Sequence, residues 1–267
     1  MTRPRKARLT TASVVVLLLV PALAAGCAKR AATTRRQTET APRTQAEAQV
    51  QQPVWRTIDR NALADSLGWS QVSRGNTAAR RIALTFDAGS GAQYAPAILD
   101  ALKAAGLHCT FFITGQFADA NPAIMSRLAA EGHELGNHSY SHPHFTQLSP
   151  AEVTSQLDRT EAAVKRSTGL STKPYFRFPY GAGSNALVQQ INGMGYIGAL
   201  WTFDTLDSIE GTTPETIRAR VAKYAAPGAI VLMHLGSPQE AQVLPAVIGD
   251  LKTSGYEIVT LSEVLSH

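Results

Sequence analysis

Two histidines four residues apart, His138 and His142, bound the segment His-Ser-Tyr-Ser-His. On a helix that spacing would align both rings on one face. Pro143 instead biases His142 toward an extended backbone, and Gly136, Asn137 and two serines form helices poorly, so the pair is expected in a loop leaving a strand. Two converging imidazoles suit a borderline divalent ion, Zn²⁺ first, with Co²⁺ or Ni²⁺ as alternatives. The plainer reading of the same letters is a polar surface loop with incidental histidines, His144 included.

Four further polar segments stand at fixed places along the chain: TFDAG (85–89), RFPYG (177–181), DTLD (204–207) and LMH (232–234). Asp87 follows an apolar strand-like run and could serve as a general base on a water, or simply cap a helix. Arg177 lies between two phenylalanines, and a cation in apolar surroundings needs a partner, with Asp87 the first choice. A rim salt bridge is its ordinary alternative. His234 ends the most apolar run, Ala229–Met233; Asp204 or Asp207 nearby would raise its pKa and keep it protonated as a general acid. A lone His in such a run is otherwise most often a satisfied core residue. A base, an acid, an orienting cation and a possible ion site together describe metal-assisted hydrolysis.

The elements that must position these groups are legible as alternation. Runs 82–86, 109–113, 133–136, 175–178, 196–203, 229–233 and 257–261 read as strands, and four of the five polar segments directly end one. Between them, Ile98, Ala101, Leu102 and Ala105 recur at helical spacing before Gly106, and Ser149-Pro150-Ala151-Glu152 is a capping box with Pro at the first helical position. Asn121-Pro122 opens a further helix. Ile217, Val221 and Tyr224 mark the inner face of another, which ends before Gly228. About seven strand–helix units predict an α/β fold, a parallel sheet closed or nearly closed into a distorted (β/α) barrel, with the polar segments gathered at its C-terminal face.

The bulk numbers bound the rest. A chain of 267 residues buries one substantial core with terminal extensions. The net charge of +5 is local: residues 1–43 carry nine Lys/Arg against Glu39 alone, and the remainder carries 16 Lys/Arg against 19 Asp/Glu. A basic leader on an acidic body argues against nucleic acid as a partner. Arg3, Arg5, Lys6 and Arg8 precede an apolar stretch from Ala12 to Ala25 that ends at Gly26-Cys27, the pattern of an export signal. That stretch is too short to span a core of roughly 30 Å comfortably. Leu23-Ala24-Ala25-Gly26-Cys27 resembles a bacterial lipoprotein cleavage site, which would put a lipid on Cys27 and tether the protein to the membrane; ordinary cleavage and secretion is the alternative. Residues 28–52 lack an apolar face and read as a flexible tether, about 25–30 Å in root-mean-square span. Residues 53–80 hold enough apolar side chains to dock on the domain that follows, residues 81–267. Cys109 is expected as a small buried hydrophobe, without a disulfide. Nothing in the chain calls for an obligate protein partner.

Taken in order, the five segments resemble those of the polysaccharide deacetylase family, carbohydrate esterase family 4, over about residues 81–265, with HSYSH and RFPYG the most specific matches. The resemblance implies a distorted (β/α) barrel with an open groove for a glycan. The implied reaction removes acetyl groups from N-acetylated sugars of peptidoglycan or chitin, or O-acetyl groups from xylan. Carried over residue by residue, Asp87 resembles the base, His138 and His142 the metal pair, and Arg177 the residue that orients the base. The Tyr180 backbone N–H resembles the oxyanion donor, His234 the acid, Asp207 the carboxylate that tunes it, and Leu232 part of the acetyl pocket. Two departures stand out. Ala88 occupies the position of the family's third metal ligand, an Asp, and Ser208 that of a groove-walling Trp. They predict weaker metal binding and a wider groove, and they keep alive a second reading: a tethered glycan-binding protein on the same barrel with impaired catalysis.

Overall fold

In a computed structural model of the chain, residues 52–89 and 91–266 are described. The expected leader, Cys27 and nearly all of the tether therefore lie outside the described residues. Eight strands form one sheet: β1 (Arg81–Ala88), β2 (Thr110–Ile113), β3 (Glu134–Asn137), β4 (Tyr175–Phe176), β5 (Ile197–Gly198), β6 (Phe203–Asp204), β7 (Ala229–His234) and β8 (Glu257–Val259). Their order is β5-β4-β3-β2-β1-β7-β6, with β8 also pairing β1, and every pairing is parallel. This is the distorted (β/α) barrel expected.

Helices α2 (Ala95–Ala104), α3 (Gly115–Ala120), α4 (Pro122–Ala130), α5 (Pro150–Thr168), α6 (Asn185–Gly193), α7 (Pro214–Tyr224) and α8 (Pro238–Thr253) surround the sheet, whereas α1 (Arg60–Ser66) and α9 (Leu261–Leu265) pack onto its interior cluster. The capping box at Ser149 and Glu152 opens α5 as its letters predict. Tyr224 does not face inward; it is exposed at the end of α7. None of the helices among the described residues is long and apolar enough to cross a membrane.

The two faces of the strands follow period two. On β1, Ile82, Leu84, Phe86 and Ala88 pack into the layer shared with the helices, while Ala83 joins the interior cluster with Phe112 and Ile230. Asp87 shares the parity of Ala83, so its carboxylate emerges inside the barrel, at the C-terminal end of the strand.

Strand boundaries depart from the sequence reading in several places: β1 runs on to Ala88, β4 stops at Phe176, and two further departures have a clear cause. The run 196–203 is two short strands rather than one, because Leu200 turns its N–H to Val72 outside the sheet, and the chain rejoins the sheet on β7, where Thr202 N–H donates to Ile230 O. The last strand stops at Val259, since Thr260 forms a capping box with Glu263 and starts α9. The open seam between β5 and β6 is occupied by the segment before β1. Val72 bridges Ala199, Arg74 bridges Ala229, and Thr202 Oγ1 donates to Ser73 O at 2.7 Å.

The same segment is anchored at its start by Trp55, which is buried and donates from Nε1 to Gly132 O at 2.7 Å. Trp55→Ala removes that bond and opens a cavity, a change that costs about 3–5 kcal/mol. The expected result is a lower thermal midpoint, read by circular dichroism. An unchanged midpoint would mean the segment is not stitched to the barrel.

Candidate active site

Parallel pairing brings Asp87 on β1 and His234 on β7 into register as direct neighbours. Leu232, two residues earlier on β7, pairs with Thr85 and lies on the same face. The loop after β3 carries His138 to the same end, and the chain after β4 carries Arg177. These groups line a cleft of about 640 Å³ that also includes Tyr180, Trp201 and Ile209. All the candidate residues meet there or directly beneath it.

Arg177 is fully buried under the cleft, with its guanidinium over the Phe112 ring at 4.0 Å. Four of its side-chain N–H groups find acceptors: Nη1 donates to Asp87 Oδ1 at 2.7 Å, Nη2 to Thr85 Oγ1 at 2.9 Å and Leu200 O at 3.2 Å, and Nε to Ala199 O at 3.0 Å. The expected partner is thus the observed one, and Asp87 caps no helix. Burial alone would raise the Asp87 pKa, but the neighbouring His138 ring, the Arg177 and His234 cations and the Arg177 hydrogen bond outweigh it and hold it below the ordinary value.

His138 is buried, and its Nδ1 lies 2.9 Å from Arg177 O. A carbonyl can only accept, so Nδ1 carries the proton and Nε2 keeps its lone pair. Burial pushes the His138 pKa down and favours the neutral ring. That Nε2 faces Asp87 Oδ2 at 3.3 Å. A lone pair opposite a carboxylate oxygen is a juxtaposition that a cation relieves. His142 stands beside it, ring centroids 4.8 Å apart, half-buried and pushed down to about 4 by burial and by His138. The loop that joins them bends through left-handed residues, Ser139 at φ 68° and His142 at φ 58°. His142 N–H is tied back to Ser139 Oγ at 3.1 Å.

Two neutral imidazoles of this kind suit a divalent ion. Among the described residues no third His, Cys, Asp or Glu joins them in a metal-holding group. Ala88 is not simply a shorter side chain at the site. Its methyl belongs to the outer core with Phe86, and the cleft wall passes from Asp87 to Gly89 without it.

Across the cleft, Asp207 grips His234 twice. Its Oδ1 is 2.7 Å from Nδ1 and its Oδ2 accepts the His234 backbone N–H at 2.8 Å. Burial works against the imidazolium, but the hydrogen bond and charge of Asp207, with Asp87 beyond, raise the His234 pKa. Of the two carboxylates foreseen as partners, only Asp207 serves; Asp204 pairs with Arg220 at 2.9 Å.

Tyr180 sits on the cleft wall in a left-handed turn, φ 58° and ψ 11°, and is well exposed. His144 stacks on its ring at 4.1 Å with planes 17° apart, so it is not an incidental loop residue. Ser208 and the exposed Ile209 lie where the groove-walling Trp was missing, and Trp201 supplies an indole to the cleft against Gly181. Trp201 escaped notice because it lies inside a run read as strand; the polar Thr202 beside it was the available signal.

Comparison with known proteins gives the chain its relatives. A family model described as polysaccharide deacetylase matches residues 74–199. A peptidoglycan-N-acetylmuramic acid deacetylase of Bacillus subtilis is 34% identical over 193 residues, covering 72% of this chain and 73% of that protein. Its solved structure, named a family 4 carbohydrate esterase, superposes with a TM-score of 0.70 over 76% of this chain and 87% of that one, at 32% identity. A peptidoglycan-N-acetylglucosamine deacetylase of Listeria monocytogenes is 35% identical over 212 residues, covering 78% of this chain but 43% of the longer relative. A family 4 pseudoenzyme from Bacillus anthracis superposes with a TM-score of 0.70 at 30% identity, over 74% of this chain and 69% of that one.

Proposed function

The chain belongs to the polysaccharide deacetylase family, carbohydrate esterase family 4, and on that premise we propose that it hydrolyses N-acetyl groups of a cell-envelope glycan, peptidoglycan first. Chitin-like glycans and O-acetyl groups are the wider alternatives. The observation that carries this reading is the pairing of a buried, Arg-held carboxylate, Asp87, with an Asp-held imidazole, His234, in register across one cleft.

In this reading Asp87 takes the proton of the attacking water while Arg177 fixes its carboxylate. The Tyr180 N–H donates to the developing oxyanion, a contribution of roughly 3–4 kcal/mol for a well-placed donor. Leu232 packs against the acetyl methyl. His234 hands its proton to the departing amine, a step an amide requires because the neutral nitrogen leaves poorly as an anion. A divalent ion on His138 and His142, Zn²⁺ first with Co²⁺ or Ni²⁺ as alternatives, would polarise the acetyl carbonyl and lower the pKa of water. His142→Ala is expected to weaken Zn²⁺ binding by more than about tenfold, measured by calorimetry on metal-stripped protein; an unchanged affinity removes His142 from the ion site. Export, with a lipid on Cys27 anchoring the barrel at the membrane facing the wall, completes the proposal, supported by the apolar run before Gly26-Cys27.

A second reading is favoured by one feature, the turning of Ala88 away from the cleft, which leaves the ion site without an anionic third ligand. In that case the protein is a tethered glycan-binding barrel with impaired catalysis. The deciding experiment measures acetate released from acetylated peptidoglycan and N-acetylglucosamine oligomers by the full chain, stripped and then reloaded with Zn²⁺, Co²⁺ or Ni²⁺. Acetate with any of the three supports the deacetylase. Retention on glycan without acetate under every loading overturns it in favour of the binding protein.

A further inference from the structure

We propose that Glu161, Thr172, Tyr196 and Asn137 form a positioning relay that holds the His138–His142 loop in shape, an inference that rests on the deacetylase reading of that loop. The four residues come from α5, the approach to β4, the approach to β5 and the end of β3. None of them touches the cleft. Their hydrogen bonds nevertheless run in one direction toward it.

Ser139 N–H donates to Asn137 Oδ1 at 2.9 Å, which fixes the amide orientation and leaves Nδ2 as donor. Nδ2–H donates to Leu157 O at 3.0 Å and to Tyr196 Oη at 3.1 Å. Thr172 Oγ1–H donates to Glu161 Oε2 at 2.5 Å, so the Tyr196 phenol is the donor toward Thr172 Oγ1 at 3.0 Å and, at the longer distance of 3.5 Å, toward Glu161 Oε2 itself. Each hydroxyl therefore accepts from the side of the loop and donates away from it, ending on a carboxylate. Glu161 also receives Thr172 N–H at 2.8 Å and Ser171 Oγ–H at 2.7 Å. Burial would raise its pKa, but these bonds lower it overall, which keeps the end of the chain anionic. Bonds aligned in this way polarise one another.

The loop has need of such support. Ser139 and His142 are non-glycine residues held at positive φ, a conformation that persists only where the surroundings impose it. Ser139 is the first of them, its N–H is the relay's starting donor, and its Oγ holds His142 N–H. Asn137 O also accepts Arg177 N–H at 2.9 Å, so the same residue ties the loop to the cation under Asp87. Asn137, Thr172 and Tyr196 are buried, where an unpaired polar group is costly, so loss of one link is felt along the row.

Tyr196→Phe removes a single hydroxyl from the middle of the row and keeps the ring. In the full chain, the expected result is amide hydrogen exchange at least about tenfold faster in residues 137–145, with the rest of the barrel unchanged. Zn²⁺ affinity should fall about 10–100-fold, the range that outer-layer partners of metal-bound histidines command. Thr172→Val should reproduce both effects and Thr172→Ser should restore them, a pattern that plain loss of packing would not give. If Tyr196→Phe melts the whole barrel, the Thr172 pair decides. Exchange and affinity within twofold of the parent overturn the relay. A parent chain that binds no Zn²⁺ defeats the ion-site reading instead, and the exchange rates then decide the relay alone.

Discussion

Asp87→Asn releases acetate at least about a hundredfold more slowly than the parent chain, and by as much as about ten-thousandfold, the range that a positioned general base supplies. The substitution is informative because it changes little else. Asn keeps an oxygen at Oδ1 to accept from Arg177 Nη1, and the three other Arg177 contacts, to Thr85, Ala199 and Leu200, are untouched. The barrel should therefore still fold, although a buried guanidinium that has lost its counter-charge costs stability, and the thermal midpoint should drop. Asp87→Ala goes further: it removes the acceptor as well, and up to about 3–5 kcal/mol is at stake for a broken buried pair. Acetate release by Asp87→Asn, set beside circular dichroism of the same sample, separates the two effects. Undiminished release from a folded variant would take Asp87 out of its role. Loss of release together with loss of the fold would assign it to structure.

The fold was legible wherever one physical pattern governed a whole element. The apolar run of β1 reflects burial on both faces, helical spacing along α5 reflects one buried face, and the Ser149 capping box announces its helix from four letters. Reading failed where two demands overlapped. Residues 196–203 are apolar but for Thr202 because both β5 and β6 are buried, and their parting depends on Val72, more than a hundred residues away. The segment 53–80 was read as merely docking for the same reason; its bridges at Val72 and Arg74 pair with distant strands. In the cleft, Arg177 was legible because a cation between two phenylalanines has few outlets. His144 was not, since its use is a stack on Tyr180, which lies next to it only after β3 and β4 pair. Ala88 shows the opposite limit. Its identity signalled a missing ligand, whereas the direction of its methyl, into the helix layer, follows from strand parity.

Strand parity also sets the pH window of the reaction, because it places Asp87 and His234 on one face with opposite demands. In the proposed reaction Asp87 works as the anion, and its pKa is held below the ordinary carboxylate value, so activity should be lost on the acid side only as pH falls through that lowered pKa. In the same proposal His234 works as the cation, and its pKa is raised, so activity should persist above the ordinary imidazole range and fall as pH rises through the raised pKa. The groups facing His234 make the sign robust. Asp207 and Asp87 favour its charge, Arg177 opposes it, and Glu240 of α8 is buried beside Asp207 with a pKa pushed well above its usual value by burial and by that neighbour. Asp207→Asn keeps an oxygen for the His234 backbone N–H but deletes the charge. The alkaline limb of kcat/KM should then move to lower pH, and the rate at the optimum should fall by about 10²–10⁴-fold as the proton donor is lost. The acid limb, which the proposal gives to Asp87, should stay within a few tenths of a unit. A profile in which Asp207→Asn leaves the alkaline limb where it stands in the parent would take His234 out of its proposed role as proton donor.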